Sequence, residues 1–283
     1  MARGAPRAGS ASRAVVVGSV EIEPVADAVG LLCDYVEAYP GVALTDWEPY
    51  RDRYPTLFEG DAWRLPCVSY LIRSEGVTIL VDTGVGPPGL WDWTAEEEGH
   101  LPAQLDAIGV RLDEIDVVFL THLHVDHLGW NTDLEGAPLF PRARYVVHAD
   151  ALEYALRRPD RAHIRRCVVP LVDSFELVDE DAELAPGVVA FEAPGHYPGH
   201  MGLRISSGGE QATLVADAIP HPALLDRPEW VFAFDELDEI STRARLVQEI
   251  ADNDGIVVCG HYPGSGIGRV VTRDGRVLWE EAR

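Results

Sequence analysis

One ten-residue stretch, Thr121-His122-Leu123-His124-Val125-Asp126-His127-Leu128-Gly129-Trp130, limits this chain more than any other. It places three histidines and an aspartate within six residues, directly after the apolar run Ile115-Asp116-Val117-Val118-Phe119-Leu120. A run rich in branched and aromatic residues reads as a buried strand that ends where the histidines begin. Neutral imidazole and carboxylate are ligands that zinc and related divalent ions prefer. The spacing divides the labour. His122 and His124, two apart, can point the same way from an extended or looped backbone. Asp126 and His127 follow where the chain turns and can face a second point a few ångströms away. The pattern therefore predicts two metals. The competing reading, a solvated turn with histidines there by chance, needs none.

The remaining composition bounds the setting. A chain of 283 residues, 47% hydrophobic and 25% charged, is long enough for one domain with a substantial core. No apolar run approaches the roughly 20 residues a membrane helix needs. The formal charge of −24 sets 47 acidic residues against 23 basic ones, all of them arginine. Such a field repels phosphate backbones and anionic membranes, so the expected partner is a small molecule, with no nucleic acid and no membrane. Monomer and homodimer both remain open. Cys33, Cys67, Cys167 and Cys259 form no C-x-x-C pair and demand no oxidising compartment. Residues 1–14 read as a disordered tail, because no apolar stretch of signal-peptide length follows their Arg/Ala/Gly/Ser-rich start. Residues 15–283 read as a single domain, and the cytoplasm is the default location.

Along the chain, strands are expected at 15–22, 67–72, 77–81, 144–148, 203–206, 212–216 and 256–259, with strand-like runs across 175–191. Helices are expected over 26–39 from the spacing of Val29, Leu32 and Val36, over 101–108, from an Asp150 cap to about 158, and over 238–253. A hairpin over 268–279 turns at Asp274-Gly275. Trp47, Tyr50, Tyr54, Phe58 and Trp63 lie in a segment that reads as irregular, where they cap a core or line a pocket. Trp91 and Trp93 follow a Gly/Pro-rich loop that leaves the same strand end as Asp82. They and Trp130 are candidate substrate walls. His148 and His163 lie outside any ligand spacing and read as ordinary histidines, with His163 on a segment that can lie over the site.

The H-x-H-x-D-H pattern resembles the metallo-β-lactamase superfamily of metallohydrolases. Val81-Asp82-Thr83-Gly84, Pro194-Gly195-His196-Tyr197-Pro198-Gly199-His200, Ala216-Asp217 and Gly260-His261 extend the resemblance across roughly residues 65–270. It implies an α/β fold of four layers, an αββα sandwich of two mixed sheets with helices on both outer faces. It further implies that His122, His124 and His200 hold one metal and Asp126, His127 and His261 the other, with Asp217 as the bridge. Asp82 then supports the metal-binding loop, and His196 and His221 are supporting or proton-transfer candidates. Independently of the resemblance, an aspartate ending an apolar strand is better explained by compensating cations than as a surface residue.

The implied cofactor is a pair of Zn²⁺ ions, with Mn, Fe or Co as alternatives, and the implied chemistry is attack by a shared hydroxide on a carbonyl or phosphoryl centre. Leu128-Gly129-Trp130-Asn131 and Gly260-His261-Tyr262-Pro263-Gly264 look most like the branch with acyl-homoserine lactone hydrolases and methyl parathion hydrolase. Those lactone hydrolases commonly carry a tyrosine three residues after the bridging aspartate, where this chain has Pro220. That departure counts against a quorum-signal substrate and leaves other lactones and carboxylic esters, whose hydrolysis is the leading expectation. A glyoxalase II-like thioesterase, a phosphotriesterase and a mononuclear iron dioxygenase of the same fold are the alternatives.

Overall fold

The strand expected before the histidines forms over Val117–Phe119, and all three of its residues are buried. It is central to the first of two sheets in the computed structural model, which describes residues 14–87, 99–235, 240–253 and 255–282. In spatial order this sheet runs Val15–Val17, Val20–Asp34, Ala62–Ser74, Val77–Val81, Val117–Phe119, Arg144–His148 and Phe175–Val178, and Phe58–Glu59 pairs beside Ala62–Ser74. The first four are antiparallel neighbours and the last four parallel ones. The second sheet runs Arg276–Glu281, Ile267–Arg273, Ile256–Val258, Glu210–Leu214, Met201–Ser207, Val188–Glu192 and Ala182–Ala185. Only the Glu210–Leu214 and Ile256–Val258 pair is parallel there, so both sheets are mixed.

Period-two side chains from the two sheets meet in one core. Ile72, Ile79, Phe119 and Val146 from the first pack with Leu203, Ile205, Leu214 and Val258 from the second. The helices Leu101–Ala107, Ala149–Leu156 and Ala162–Cys167 cover the first sheet's outer face through Leu105, Leu152 and Ile164. On the other side, the helices Leu44–Arg53 and Ile240–Asn253 bury Trp47, Tyr50, Leu246 and Ile250 over Val257 and Phe191. This is the αββα sandwich that the motifs imply. No helix among the described residues is long and apolar enough to cross a membrane.

Three expectations fail locally. Residues 26–34 belong to the 15-residue strand Val20–Asp34, and only Tyr35–Ala38 is helical. Pairing with Ala62–Ser74 in the register Ile22↔Ile72 to Leu31↔Arg64 overrides the weak helical spacing. The aromatic segment is partly the helix Leu44–Arg53. The cap of the helix Ala149–Leu156 is His148, whose Nδ1 accepts from the Asp150 N–H at 3.1 Å. The hairpin turns at Asp274-Gly275, both with positive φ (51° and 76°) as a type I′ turn requires. Residues 1–13 of the tail, Trp91, Trp93 and residues 238 and 239 lie outside the described residues.

The long strand also supplies a strut. Asp27 is buried where its pairing shifts, and its carboxylate accepts from Val85 N (2.6 Å), Leu101 N (2.8 Å) and Trp130 Nε1 (2.9 Å). It ties together the loop after Asp82, the start of a helix and the end of the histidine motif. Burial raises its pKa, with these N–H donors opposing. The close approach requires Gly84: with φ at +63°, a Cβ there would lie 2.1 Å from Asp27 Oδ2.

Candidate metal centre

The site lies where strands of both sheets end. Val77–Val81 leads to Asp82, Val117–Phe119 to Thr121 through His127, Glu210–Leu214 to Asp217, and Ile256–Val258 to His261. Asp82 and Ala216, at corresponding places in the two sheets, both take positive φ (56° and 43°). Such a conformation costs on the order of 1–3 kcal/mol and persists only where surroundings hold it. Asp82 is held by its N–H to Phe119 O at 2.8 Å and by accepting from Thr121 N at 2.8 Å.

Two nests of donor atoms result. In the first, His124 Nδ1 is 3.0 Å from His122 Nε2 and 2.9 Å from His196 Nε2. In the second, His261 Nε2 lies 3.7 Å from Asp126 Oδ2, and His127 Nε2 lies 3.6 Å from the same oxygen. Asp217 spans them. Its Oδ2 is 3.3 Å from His196 Nε2 and 4.0 Å from His122 Nε2, while Oδ1 is 3.1 Å from His261 Nε2 and 3.6 Å from His127 Nε2. Tetrahedral ligands about 2.05 Å from a zinc ion stand about 3.3 Å apart, inside this spread.

Partners on the far sides of the rings aim the nitrogens. His127 Nδ1 bonds to Asp82 Oδ2 at 2.8 Å and His261 Nδ1 to the Pro66 carbonyl at 2.7 Å. His196 Nδ1 bonds to Asp235 Oδ1 at 3.0 Å, and Asp235 is itself paired with the buried Arg243 at 3.5 Å. Each contact turns an Nε2 toward the nests, the usual way a metal-binding imidazole is oriented. His127 Nε2, His261 Nε2 and Asp217 Oδ1 are buried without a hydrogen-bond partner among the described residues. Orphaned buried polar atoms cost about 1–3 kcal/mol each, and divalent cations in the nests would satisfy all three. The residues present fit such ions.

The electrostatics of the nests differ. Burial drives His122 and His124 well below the ordinary imidazole range, and neighbouring histidines add to it. Burial works against charge on His127 as well, yet Asp126, Asp217 and Asp82 hold it well above that range. His261 is raised too, because Asp217 outweighs its burial.

Several sequence-based expectations change here. His200, expected as a ligand, is fully buried with both ring nitrogens engaged: Nδ1 with Ala193 O at 3.0 Å and Nε2 with Asp217 N at 3.1 Å. His196 takes the place beside His122 and His124. The two histidines of Pro194 through His200 are equivalent by spacing, and only the loop's fold tells them apart. His221 is no proton-transfer group for this site. It sits in a box of Tyr35, Trp47, Phe58 and Trp63 with Nε2 against Tyr35 Oη at 3.2 Å, and burial pushes its pKa down to about 3. Trp130 spends its Nε1 on Asp27 and does not line the cavity over the nests.

That cavity, about 440 Å³, is lined by His124, Asp126, His196, Asp217 and His261 at its base. Leu32, Trp63, Leu65, Pro220, Phe232 and Phe234 form an apolar lining, and Phe232 stacks on His196 at 5.8 Å between centroids. Arg161 and His163 also line it. Sequence reading missed Phe232, Phe234, Arg161, Asp235 and Asp27, which carry no motif; it read His163 as an ordinary histidine on a segment that can lie over the site, and His163 does line this cavity. It also missed Cys67, whose thiol stands within the same donor group as Asp126 and His261 and is pushed up to about 12 by burial.

Comparison with known proteins agrees with this geometry. The family model described as the metallo-beta-lactamase superfamily matches residues 62–261, which hold both nests. The chain belongs to that superfamily. Among curated superfamily members, the N-acyl homoserine lactonase AiiA of Bacillus thuringiensis subsp. kurstaki is 29% identical over 220 residues, covering 72% of this chain and 84% of that one. The N-acyl homoserine lactonase AiiB of Agrobacterium fabrum is 30% identical over 166 residues, covering 50% and 58%. Among solved structures, AidC, a dizinc quorum-quenching lactonase in complex with a product, superposes with a TM-score of 0.82 at 22% identity, over 96% of this chain and 97% of that one. The hydrolase AbOPH superposes with a TM-score of 0.81 at 20% identity, over 95% and 97%. At these identities the structural likeness concerns the fold.

Proposed function

We propose that this protein is a dinuclear, zinc-dependent hydrolase that cleaves the ester bond of a lactone or carboxylic ester in a small, partly apolar molecule. The observation that carries the reading is Asp217, one carboxylate whose two oxygens face two separate nests of aimed imidazoles beneath a cavity. His122, His124 and His196 would hold one cation, Asp126, His127 and His261 the other, and Asp217 would serve both. Nitrogen and oxygen donors of this kind suit zinc, and manganese, iron or cobalt would also be accepted. Bound there, the cations would supply Lewis acidity at a carbonyl oxygen and lower the pKa of water into the neutral range.

The chain's own residues prepare that chemistry. Asp82 and Asp235 fix the tautomers of His127 and His196, and His200 holds the Asp217 backbone N–H so that its carboxylate stays between the nests. The apolar lining of Leu32, Trp63, Leu65 and Phe232 excludes water and seats an acyl or aryl group. A net charge of −24 disfavours anionic substrates. The names of AiiA and AidC, both lactonases, support the choice of lactones ahead of other esters.

The test is metal analysis of zinc-supplemented protein, followed by a panel of aryl esters, γ- and δ-lactones, thioesters and paraoxon-type triesters. Two metals per chain and turnover of lactones or esters are expected. A stoichiometry fixed at one would sink the dinuclear reading. Turnover of thioesters alone or phosphotriesters alone would move the substrate class. One iron per chain with oxygen consumption would replace the hydrolase by a dioxygenase.

A further inference from the structure

The strand Ala62–Ser74 brings a thiol to the second nest. Cys67 lies opposite a break in that strand's pairing: Ala26 faces Val68 and Ala28 faces Cys67, so Asp27 is an extra residue. A bulge of this kind bends a strand and re-aims its side chains. The same stretch is clamped onto the loop of His261. The Val68 N–H donates to Gly260 O at 3.2 Å, and the Pro66 carbonyl accepts from His261 Nδ1 at 2.7 Å. The approach needs glycine, because a Cβ at position 260 would lie 2.6 Å from Val68 O. Cys67 is thereby carried, buried, to the wall of the nest.

Three features there point to a ligand. Cys67 Sγ, an Asp126 carboxylate oxygen and a His261 ring nitrogen all lie within 4.8 Å of one another. His261 Nε2 and Asp217 Oδ1 are buried without a hydrogen-bond partner among the described residues. A small cavity of about 20 Å³ is lined by Cys67, Asp126, His127, Asp217 and His261. About 10–15 Å³ is enough for one water-sized particle. The thiol is otherwise weakly engaged, with its contact to the Leu65 carbonyl 4.0 Å long. The other buried cysteines are placed differently. Cys167 Sγ faces Gly129 O at 3.6 Å and Cys259 Sγ faces Ala216 O at 3.5 Å. Neither stands in a group of metal-type donors among the described residues.

We propose that Cys67 is a ligand of the second cation, its thiolate binding beside Asp126 and His261, so that this nest offers sulfur as well as nitrogen and oxygen. The inference rests on the two-metal reading and deepens it by narrowing the metal. As the bond from sulfur to the cation forms, the thiol proton passes to solvent and no electron changes hands. Thiolate favours zinc, whereas carboxylate and water suit manganese. The first nest, with imidazoles and one carboxylate oxygen, lacks that preference. Zinc is thus the ion that the second nest selects, and the two nests differ in the softness of their donors as well as in their charge.

X-ray absorption at the zinc edge of the zinc-loaded full chain tests this without any variant. A sulfur shell at about 2.3 Å is expected beside nitrogen and oxygen at about 2.0–2.2 Å, at one sulfur for two zinc ions. Cobalt in place of zinc gives a second readout, a sulfur-to-cobalt charge-transfer band in the near ultraviolet. Cys67→Ser should abolish the shell and the band, with circular dichroism unchanged. The combined variant Cys33→Ser, Cys167→Ala and Cys259→Ala, which keeps Cys67 alone, should retain both. In chelator competition Cys67→Ser should weaken the second zinc at least about 10–100-fold, the loss that removal of a mere orienting partner causes, and should narrow the preference for zinc over manganese. Two zinc ions bound with no sulfur shell would overturn the inference alone. So would a shell that survives in Cys67→Ser or vanishes from the variant that keeps only Cys67. Failure of the wild type to take up a second zinc would overturn the two-metal reading, and this inference with it.

Discussion

The two nests under the cavity solve the same problem with different materials. The first is all imidazole, made of His122, His124 and His196, and burial with neighbouring histidines holds His122 and His124 well below the ordinary imidazole range. The second mixes His127 and His261 with the carboxylate of Asp126, and its histidines favour positive charge because carboxylates face them. A cation in the first nest is held by neutral dipoles, with Asp217 its one charged donor. A cation in the second meets two carboxylates. The second nest should bind the tighter of the two ions, and Asp217 should be the residue on which both depend.

The largest expected effect follows. Burial works against charge on Asp217, yet His261 and His127 hold its carboxyl well below its usual range, so it is ionised at every working pH. Asp217→Asn removes that charge from both nests at once. Metal stoichiometry should fall and turnover should drop on the order of 10²–10³-fold or more, while the fold is retained by circular dichroism. Near-normal hydrolysis would show that the two nests do not share Asp217. Next in size is the exchange of roles between the two histidines of the Pro194 to His200 loop. His196→Ala should empty the first nest alone and leave one metal per chain. His200→Ala should keep both metals but leave Asp217 N–H and Ala193 C=O buried without their partner, costing about 1–3 kcal/mol of stability for each. The reverse pattern would restore His200 as the ligand.

That exchange marks where the sequence stops being legible. The strand before His122, the spacing of His122, His124, Asp126 and His127, and the placing of Asp217 and His261 at strand ends follow from local runs, whereas the αββα layering and the gathering of these donors into one site are implied by the resemblance to the metallo-β-lactamase superfamily. His196 and His200 are four apart in one glycine- and proline-rich loop, and their roles depend on which ring the Ala193 carbonyl captures. Residues 26–34 carry helical spacing but are claimed by a distant strand. The cavity lining was harder still. Phe232 and Phe234 lie in an irregular segment far from any motif, and Asp27 acts through contacts about 58 to 103 residues away.

A smaller effect sharpens the contrast between the nests' supports. His196 is aimed by Asp235, which depends in turn on the buried Arg243, whereas His261 is aimed by a backbone carbonyl that no side-chain substitution removes. Asp235→Asn should weaken the first metal about 10–100-fold, as loss of such orienting partners typically does, and leave the second unchanged. Equal weakening of both ions in a chelator titration would mean that the nests are not independent.

The smallest effect concerns a histidine buried as deeply as the nest residues but outside them. His221 has a pKa of about 3 in the fold against an ordinary value of 6.5, because burial in its aromatic box disfavours the charged ring. Its folded pKa is depressed, so between these values the unfolded chain binds a proton that the folded chain refuses. The contribution of His221 to stability is therefore complete above pH 6.5 and is lost progressively as pH falls toward 3. His221→Phe should keep metal content and turnover within about twofold of wild type, since His221 serves no ion. It should flatten the dependence of unfolding free energy on pH over this window by roughly one proton. Some slope should survive, because His200 is likewise pushed down to about 3 by burial. Denaturant melts across the window would measure the change. An unaltered slope would mean that His221 takes up its proton without unfolding, and a loss of metal would bring His221 back into the site.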